Sequence, residues 1–268
     1  MIFVDTHTHL YLDEFDNDRE QVVRNAIDKG VKYIFLPNID SSSIEGMMDL
    51  SDKSPGHCFP MMGLHPTSVK ANYQEELALV EEHLSSSGNR FYSLGEIGID
   101  LYWSREFESC QLSAFSFQLD LAVKYNLPVV IHTRNSFEQA VNVIEEKNNP
   151  AIRGVFHCFG GSLKQAEKAI ELGFLLGIGG IITYKNSGLQ KVVEMVGLEH
   201  LVLETDAPFL PPVPYRGQRN ESKYIPVIAQ KIAEIKGTSI DEVAQITTSN
   251  ALKLFKFNPS YPLTLINS

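Results

Sequence analysis

The stretch Leu119-Asp120-Leu121-Ala122-Val123-Lys124-Tyr125-Asn126-Leu127-Pro128-Val129-Val130-Ile131-His132 joins the end of a helix-like segment to a short β-rich run that closes on a histidine. From about Glu106 onward, Leu112, Phe115, Leu119 and Ala122 fall on one helical face, with Gln111 and Asp120 off it. The same unit recurs in both directions along the chain. Candidate strands are residues 2–6, 31–37, 58–63, 91–94, 128–131, 153–156, 174–177 and 201–203, with amphipathic segments between them. Asp16-Asn17-Asp18 ahead of Val22, Val23, Ala26 and Ile27 reads as a capped helix start, and Gly30 and Gly173 fit helix ends. Beyond the last strand come a proline-rich connection over 207–220, two helical patterns within about 221–255, and a tail with Pro259 and Pro262. Strand–helix alternation repeated eight times predicts an α/β chain whose parallel sheet closes into a (β/α)8 TIM barrel. An open doubly wound sheet is the rival.

Composition agrees with that reading. The 268 residues are 43% apolar, 10% aromatic and 21% charged, which excludes a disordered or collagen-like chain. Barrels of about 250 residues fold as one unit, so residues 1–268 are expected to form a single domain. The net charge of −10 excludes a general basic coat for nucleic acid, but leaves room for a local basic site or one made positive by bound metal. No apolar run is long enough to span a bilayer, and the start Met1-Ile2-Phe3-Val4-Asp5 has neither a basic n-region nor a long apolar core. Three widely spaced cysteines, Cys58, Cys110 and Cys158, suit a reducing compartment better than a disulfide framework. The expectation is a cytoplasmic globular protein with no membrane association and no visible obligate protein partner.

The chemistry is written just after the expected strands. His7 and His9 follow the first, His65 the third and Glu96 the fourth; His132 ends the fifth, His157 follows the sixth and Asp206 the eighth. In a barrel these positions converge on one mouth, where such enzymes place their catalytic groups. His-x-His at a strand end puts both imidazoles on one side, because side chains alternate. Imidazoles joined by carboxylates suit Zn²⁺, Mn²⁺ or Ni²⁺, while Mg²⁺ prefers oxygen but can share a mixed site with substrate phosphate. A lone strand-end histidine is more often a cap or core hydrogen-bonder, and His57, His83 and His200 read that way. Four histidines with Glu96 and Asp206 at one barrel end read instead as a metal site. His65, in Gly63-Leu64-His65-Pro66, is either a structural cap or, as preferred, a contact to substrate phosphate. Cys158 reads as a small buried hydrophobe.

These motifs resemble a family. His7-x-His9, Gly63-Leu64-His65-Pro66, Gly95-Glu96-Ile97-Gly98-Ile99-Asp100, His132-Thr133-Arg134, His157-Cys158-Phe159 and Glu204-Thr205-Asp206-Ala207-Pro208 occur in the order of the TatD-related metal-dependent deoxyribonucleases, which belong to the amidohydrolase-like barrels. Val213-Pro214-Tyr215-Arg216-Gly217 with Arg219-Asn220 is similar to that family's loop after strand eight. One departure is Leu101, where many relatives carry Tyr after the aspartate. The resemblance implies two divalent cations, Mg²⁺ or Mn²⁺ for activity and Zn²⁺ or Ni²⁺ as alternatives in a purified sample. His7, His9 and Asp206 would hold one, His132 and His157 the other, and Glu96 would bridge them. Between cations about 3.5–4 Å apart a carboxylate is needed to offset charge.

A mechanism follows. Water between the cations has a lowered pKa, and Asp206 can orient it and accept its proton. His65 and Arg134 would face the phosphodiester, although Arg134 reads equally as a surface residue at a helix start. Arg216 and Arg219 are candidates for backbone contacts, and Tyr102 with Trp103 for stacking on a base. Asp5 and Glu204 share strand parity with His7 and Asp206, and read either as supporting hydrogen-bonders or as simple buried groups. The function expected is a deoxyribonuclease acting on single-stranded DNA or strand ends. The alternatives are an amidohydrolase-like hydrolase of a small amide, lactone or phosphoester, and a binding protein with a structural metal.

Overall fold

The computed structural model describes residues 1–86, 88 and 90–257; the tail with Pro259 and Pro262 lies outside them. Strands and helices alternate as the patterning expects. The strands are β1 (Phe3–Asp5), β2 (Val31–Pro37), β3 (Cys58–Met61), β4 (Leu94–Asp100), β5 (Val129–Arg134), β6 (Gly154–Phe156), β7 (Leu175–Ile178) and β8 (Leu201–Leu203). The helices are α1 (Arg19–Asp28), α2 (Ile44–Lys53), α3 (Tyr73–Ser86), α4 (Glu108–Lys124), α5 (Phe137–Lys147), α6 (Leu163–Glu171), α7 (Leu189–Met195), α8 (Ile225–Lys236) and α9 (Ile240–Leu254). All strand pairs are parallel and sequential, in two arcs, β1-β2-β3 and β4 to β8. The Gly95 amide joins the arcs by donating to the Met62 carbonyl at 2.8 Å, and the Thr6 amide joins the ends by donating to the Leu203 carbonyl at 3.0 Å. The fold is a TIM barrel.

Strand alternation explains why the mouth carries polar groups above an apolar floor. Val4, Tyr33, Phe35, Phe59, Val130, Val155 and Val202 point into the barrel, and α9 plugs its lower end with Phe255 stacked 4.2 Å from Phe35. Two residues on from Val130, Val155 and Val202 stand His132, His157 and Glu204, so the parity that buries each valine turns the next inward side chain toward the mouth. The opposite parity, with Ile34, Leu36, Ile131, Phe156 and Leu203, packs under the helices. No helix among the described residues is long and apolar enough to cross a membrane.

Three local expectations are corrected. The fourth strand, expected over 91–94 and ending before Gly95, begins at Leu94 and runs to Asp100, so Glu96 lies within β4 and not after it. The glycines that look like breakers are there for close approach. A Cβ on Gly95 would meet Val130, and one on Gly98, at φ +137°, would collide with the His132 carbonyl. Gln111, expected off the buried face of α4, is buried because its amide serves backbone groups in the core. Asp18 precedes α1 but does not cap it with its side chain; its carboxylate is taken by Arg219.

Candidate metal centre

Glu96 is the centre of the mouth. Its two carboxylate oxygens face different imidazoles. Oε2 lies 3.1 Å from His7 Nε2 and 3.5 Å from His9 Nε2. Oε1 lies 2.8 Å from His132 Nδ1, 3.2 Å from His157 Nε2 and 3.2 Å from His65 Nε2. Asp206 Oδ1 completes the first group, 3.8 Å from His7 Nε2 and 3.6 Å from His9 Nε2. The His7 and His157 rings stack 3.6 Å apart and link the two sides. All six residues expected as ligands therefore stand around one cavity of about 650 Å³ or directly behind its wall, with Glu96 almost wholly buried and Asp206 half-buried.

Several partners orient these rings, and tautomers follow from them. The Tyr11 hydroxyl lies 2.5 Å from the Pro37 carbonyl, which can only accept, so the hydroxyl donates there. Its oxygen then accepts from His9 Nδ1 at 2.8 Å, leaving a lone pair on His9 Nε2. Asp100 fixes the His132 ring in a similar way: Oδ2 accepts from Nε2 at 2.9 Å while Nδ1 faces Glu96 Oε1 at 2.8 Å. Burial works to lower this imidazole, but the two carboxylates raise it above its ordinary pKa. Asp100 is held in turn by the Tyr102 amide on Oδ1 and by the Gln111 amide, which bonds the Asp100 backbone at 2.8 and 3.1 Å. Behind His157, Glu204 Oε1 lies 3.2 Å from Nδ1 without hydrogen-bond alignment and accepts from the Cys158 amide.

His65 is placed differently. The Thr67 amide donates to His65 Nδ1 at 3.1 Å, so the neutral ring carries its proton on Nε2 and presents a donor to the cavity, not a lone pair. Burial holds this ring below its ordinary pKa. Gln118 fixes the neighbouring turn by bonding the Leu64 amide and carbonyl at 2.8 and 3.2 Å.

The donor set fits divalent cations. His7 and His9 bring their Nε2 atoms to 3.2 Å in a buried site, and His7 Nδ1 has no hydrogen-bond partner among the described residues. Converging nitrogens beside two carboxylates are what a cation resolves, and separations of 3.1–3.8 Å match neighbouring ligands on metal bonds of about 2.1 Å. The groups His7–His9–Glu96, His7–His157–Asp206 and His65–Glu96–His132 each keep their donor atoms within 4.8 Å of one another; the tautomer argument removes His65 from the third. The two carboxyls respond to this crowd in opposite ways. Burial works to raise Glu96, but His65, His157, His7 and His132 outweigh it and hold the carboxyl well below the usual range. Burial wins at Asp206, whose carboxyl is pushed up to about 6.

The remaining candidates separate. Arg134 is exposed on the cavity wall, its guanidinium 3.7 Å from the Tyr102 ring and 5.2 Å from Trp103. Tyr102 and Trp103 are 51% and 72% exposed and meet edge to face with ring centroids 4.8 Å apart. Arg216 lines an adjoining cavity. Arg219, expected to contact a nucleic-acid backbone, is turned away: Asp18 takes it bidentately at 2.8 and 2.7 Å, and Glu221 adds a third contact. Asp5 accepts from the Thr205 amide and hydroxyl and from the His7 amide, so it latches β1 to the loop after β8; burial pushes its carboxyl up to about 7. Burial also pushes the Cys158 thiol well above its ordinary value, which removes it as a nucleophile. Sequence reasoning misses Tyr11 and gives Asp100, Gln111 and Gln118 no role. Tyr11 does carry a signal, since it continues the parity of His7 and His9.

Tyr11→Phe is expected to weaken metal binding by about 10–100-fold while the fold persists, since it removes only the group that fixes the His9 tautomer. Competition with a coloured chelator measures this; wild-type affinity would show that His9 is oriented by other means.

A TIM barrel whose mouth gathers buried histidines and carboxylates in this way defines a metal-dependent hydrolase. Residues 4–256 match the family model described as TatD related DNase. The metal-dependent hydrolase YabD of Bacillus subtilis (strain 168) is 36% identical over 259 residues, covering 96% of this chain and 100% of its own. The structure of YjjV, a TatD homologue from Escherichia coli K12, is 30% identical with a TM-score of 0.89, over 95% of this chain and 98% of that one. A TatD family hydrolase from Entamoeba histolytica, 21% identical, shares the fold with a TM-score of 0.86 over 96% and 99% of the two chains. The chain belongs to the TatD family of metal-dependent hydrolases.

Proposed function

We propose that the whole chain acts as a cytoplasmic deoxyribonuclease, hydrolysing phosphodiester bonds in single-stranded DNA or at strand ends. The observation that carries the two-metal reading is Glu96, whose oxygens each face a separate set of imidazoles. His7, His9 and Asp206 would hold one divalent cation and His132 and His157 the other, with Glu96 between them. When bound, such a pair supplies Lewis acidity, lowering the pKa of water and offsetting charge on a phosphodiester oxygen. Mg²⁺ or Mn²⁺ suits phosphate chemistry, and the imidazole-rich set also accepts Zn²⁺ or Ni²⁺.

The chain's own groups do the rest. Asp206, at the cavity wall, orients the attacking water and takes its proton. His65 offers its Nε2 proton to a phosphate oxygen, in keeping with the tautomer that Thr67 imposes. Trp103 and Tyr102 would offer a base two exposed rings at the cavity edge, and Arg134, which lies over both, would contact the backbone. A single cavity of about 650 Å³ on a chain of net charge −10 favours a frayed end or single strand over long duplex.

The test is a panel of single-stranded DNA, duplex DNA, RNA and small esters, incubated with metal-stripped and metal-restored protein. Chelation is expected to abolish cleavage of single-stranded DNA, and Mg²⁺ or Mn²⁺ to restore it. Full activity without metal would remove the centre from the reaction. Turnover of small amides, lactones or phosphoesters alone would replace the nuclease reading with the small-substrate one.

A further inference from the structure

The metal cavity does not end at its own wall. A second cavity of about 600 Å³ opens beside it, and Ile181 and Leu210 line both. The loop after β6 passes from His157 and Cys158 in the first cavity to Gly160 in the second, and the loop after β8 passes from Asp206 to Arg216. The two spaces are thus consecutive stations on the same rim.

The second cavity is built for an anion. Arg216 lies over the Tyr184 ring, 4.5 Å from its centroid, and the Tyr184 hydroxyl donates to the Pro211 carbonyl at 2.8 Å. The ring is therefore pinned to the loop that carries the arginine. Stacking uses the face of the guanidinium and leaves its hydrogen-bonding edge free for a planar or phosphate acceptor. Lys185 lines the same cavity, and no acidic side chain does among the described residues. Neither cation has a carboxylate partner among the described residues, whereas Arg219, three residues beyond Arg216, is saturated by Asp18 and Glu221. In a chain of net charge −10, these two uncommitted cations share one cavity next to the centre.

We propose that this cavity is a second phosphate subsite, in which Arg216 and Lys185 hold the backbone phosphate of a nucleotide flanking the one at the metal centre. The inference rests on the nuclease reading and extends it: the strand runs past the cations toward the β7–β8 side of the rim, while Arg134 and Trp103 stand on the β4–β5 side. A substrate long enough to reach the subsite is bound better than one that stops at the centre.

Cleavage of single-stranded DNA from dinucleotide to octanucleotide, at saturating Mn²⁺ and several salt concentrations, tests this in the wild type, in Lys185→Ala, in Arg216→Ala and in the double variant. Bis(p-nitrophenyl) phosphate is the probe too short to reach the subsite. Wild-type kcat/KM is expected to rise at least about tenfold with length, and the double variant to lose most of that gain. The salt dependence of KM should flatten by about 0.7 in log–log slope for each backbone phosphate that the variant no longer neutralises. Lys185→Ala alone, an exposed change outside the Tyr184 stack, should lose part of the gain and guards against a folding artefact. An unchanged length ratio and salt slope in the double variant would overturn the subsite and leave the nuclease reading standing. Hydrolysis of the small diester with no cleavage of any oligonucleotide would overturn both.

Discussion

Glu96→Ala is expected to weaken metal binding by about 10²–10⁴ and to abolish hydrolysis at ordinary metal concentrations. The magnitude is that of removing one partner from a buried charged group. Glu96 brings its two oxygens within 3.5 Å of both imidazole sets, so its loss would leave two bound cations with less negative charge between them. His132→Ala or His157→Ala should act on one side only, sparing a cation that His7, His9 and Asp206 would hold. Metal content per chain, measured after dialysis on variants with wild-type melting behaviour, distinguishes the cases. Two tightly held metals in Glu96→Ala would show that the carboxylate does not bridge.

The second large effect concerns Asp206. Asp206→Asn keeps an oxygen toward His7 and His9 but removes charge and basicity. Turnover should fall by about 10²–10⁴, the usual worth of a general base. Binding of substrate should change much less, because His65 and Arg134 are still in place. The backbone should tolerate the change, since Asp206 has φ 58° and asparagine adopts that region as readily as aspartate. A mere capping role, worth about 1 kcal/mol, would make the substitution nearly silent, because asparagine caps equally well. Single-turnover cleavage of a short single-stranded oligonucleotide at saturating Mg²⁺ or Mn²⁺ decides. Wild-type rates would remove Asp206 from the mechanism.

How much of this is readable in the chain follows from range. The eight strand–helix units are legible because each is a local pattern, and their repetition leaves few closed topologies. Histidines at strand ends are legible for the same reason, since strand parity and barrel convergence bring them together without knowledge of any contact. The limits of β4 are not, because Gly95 and Gly98 look like breakers until the tight approach of Val130 and His132 is known. The groups that orient the rings are hidden too. Asp100 and Tyr11 differ from ordinary polar residues only through partners at His132 and Pro37. Arg216 and Arg219, three positions apart in one loop, are indistinguishable by type. Only the placement of Asp18, on the far end of the chain, separates a committed arginine from an available one.

That reach across the chain has a temporal consequence. His7 and His9 emerge first in synthesis, yet Asp206, which faces them, belongs to the last loop of the barrel. Asp5 and Thr205, whose bond closes that seam, are 200 positions apart. A growing chain therefore carries most of its imidazoles in the open before it can assemble the carboxylate that completes the first set. Contacts of such sequence separation form late and slowly, because loop-closure entropy must be met before they are made. The first set of ligands is complete only when the two ends of the barrel have met.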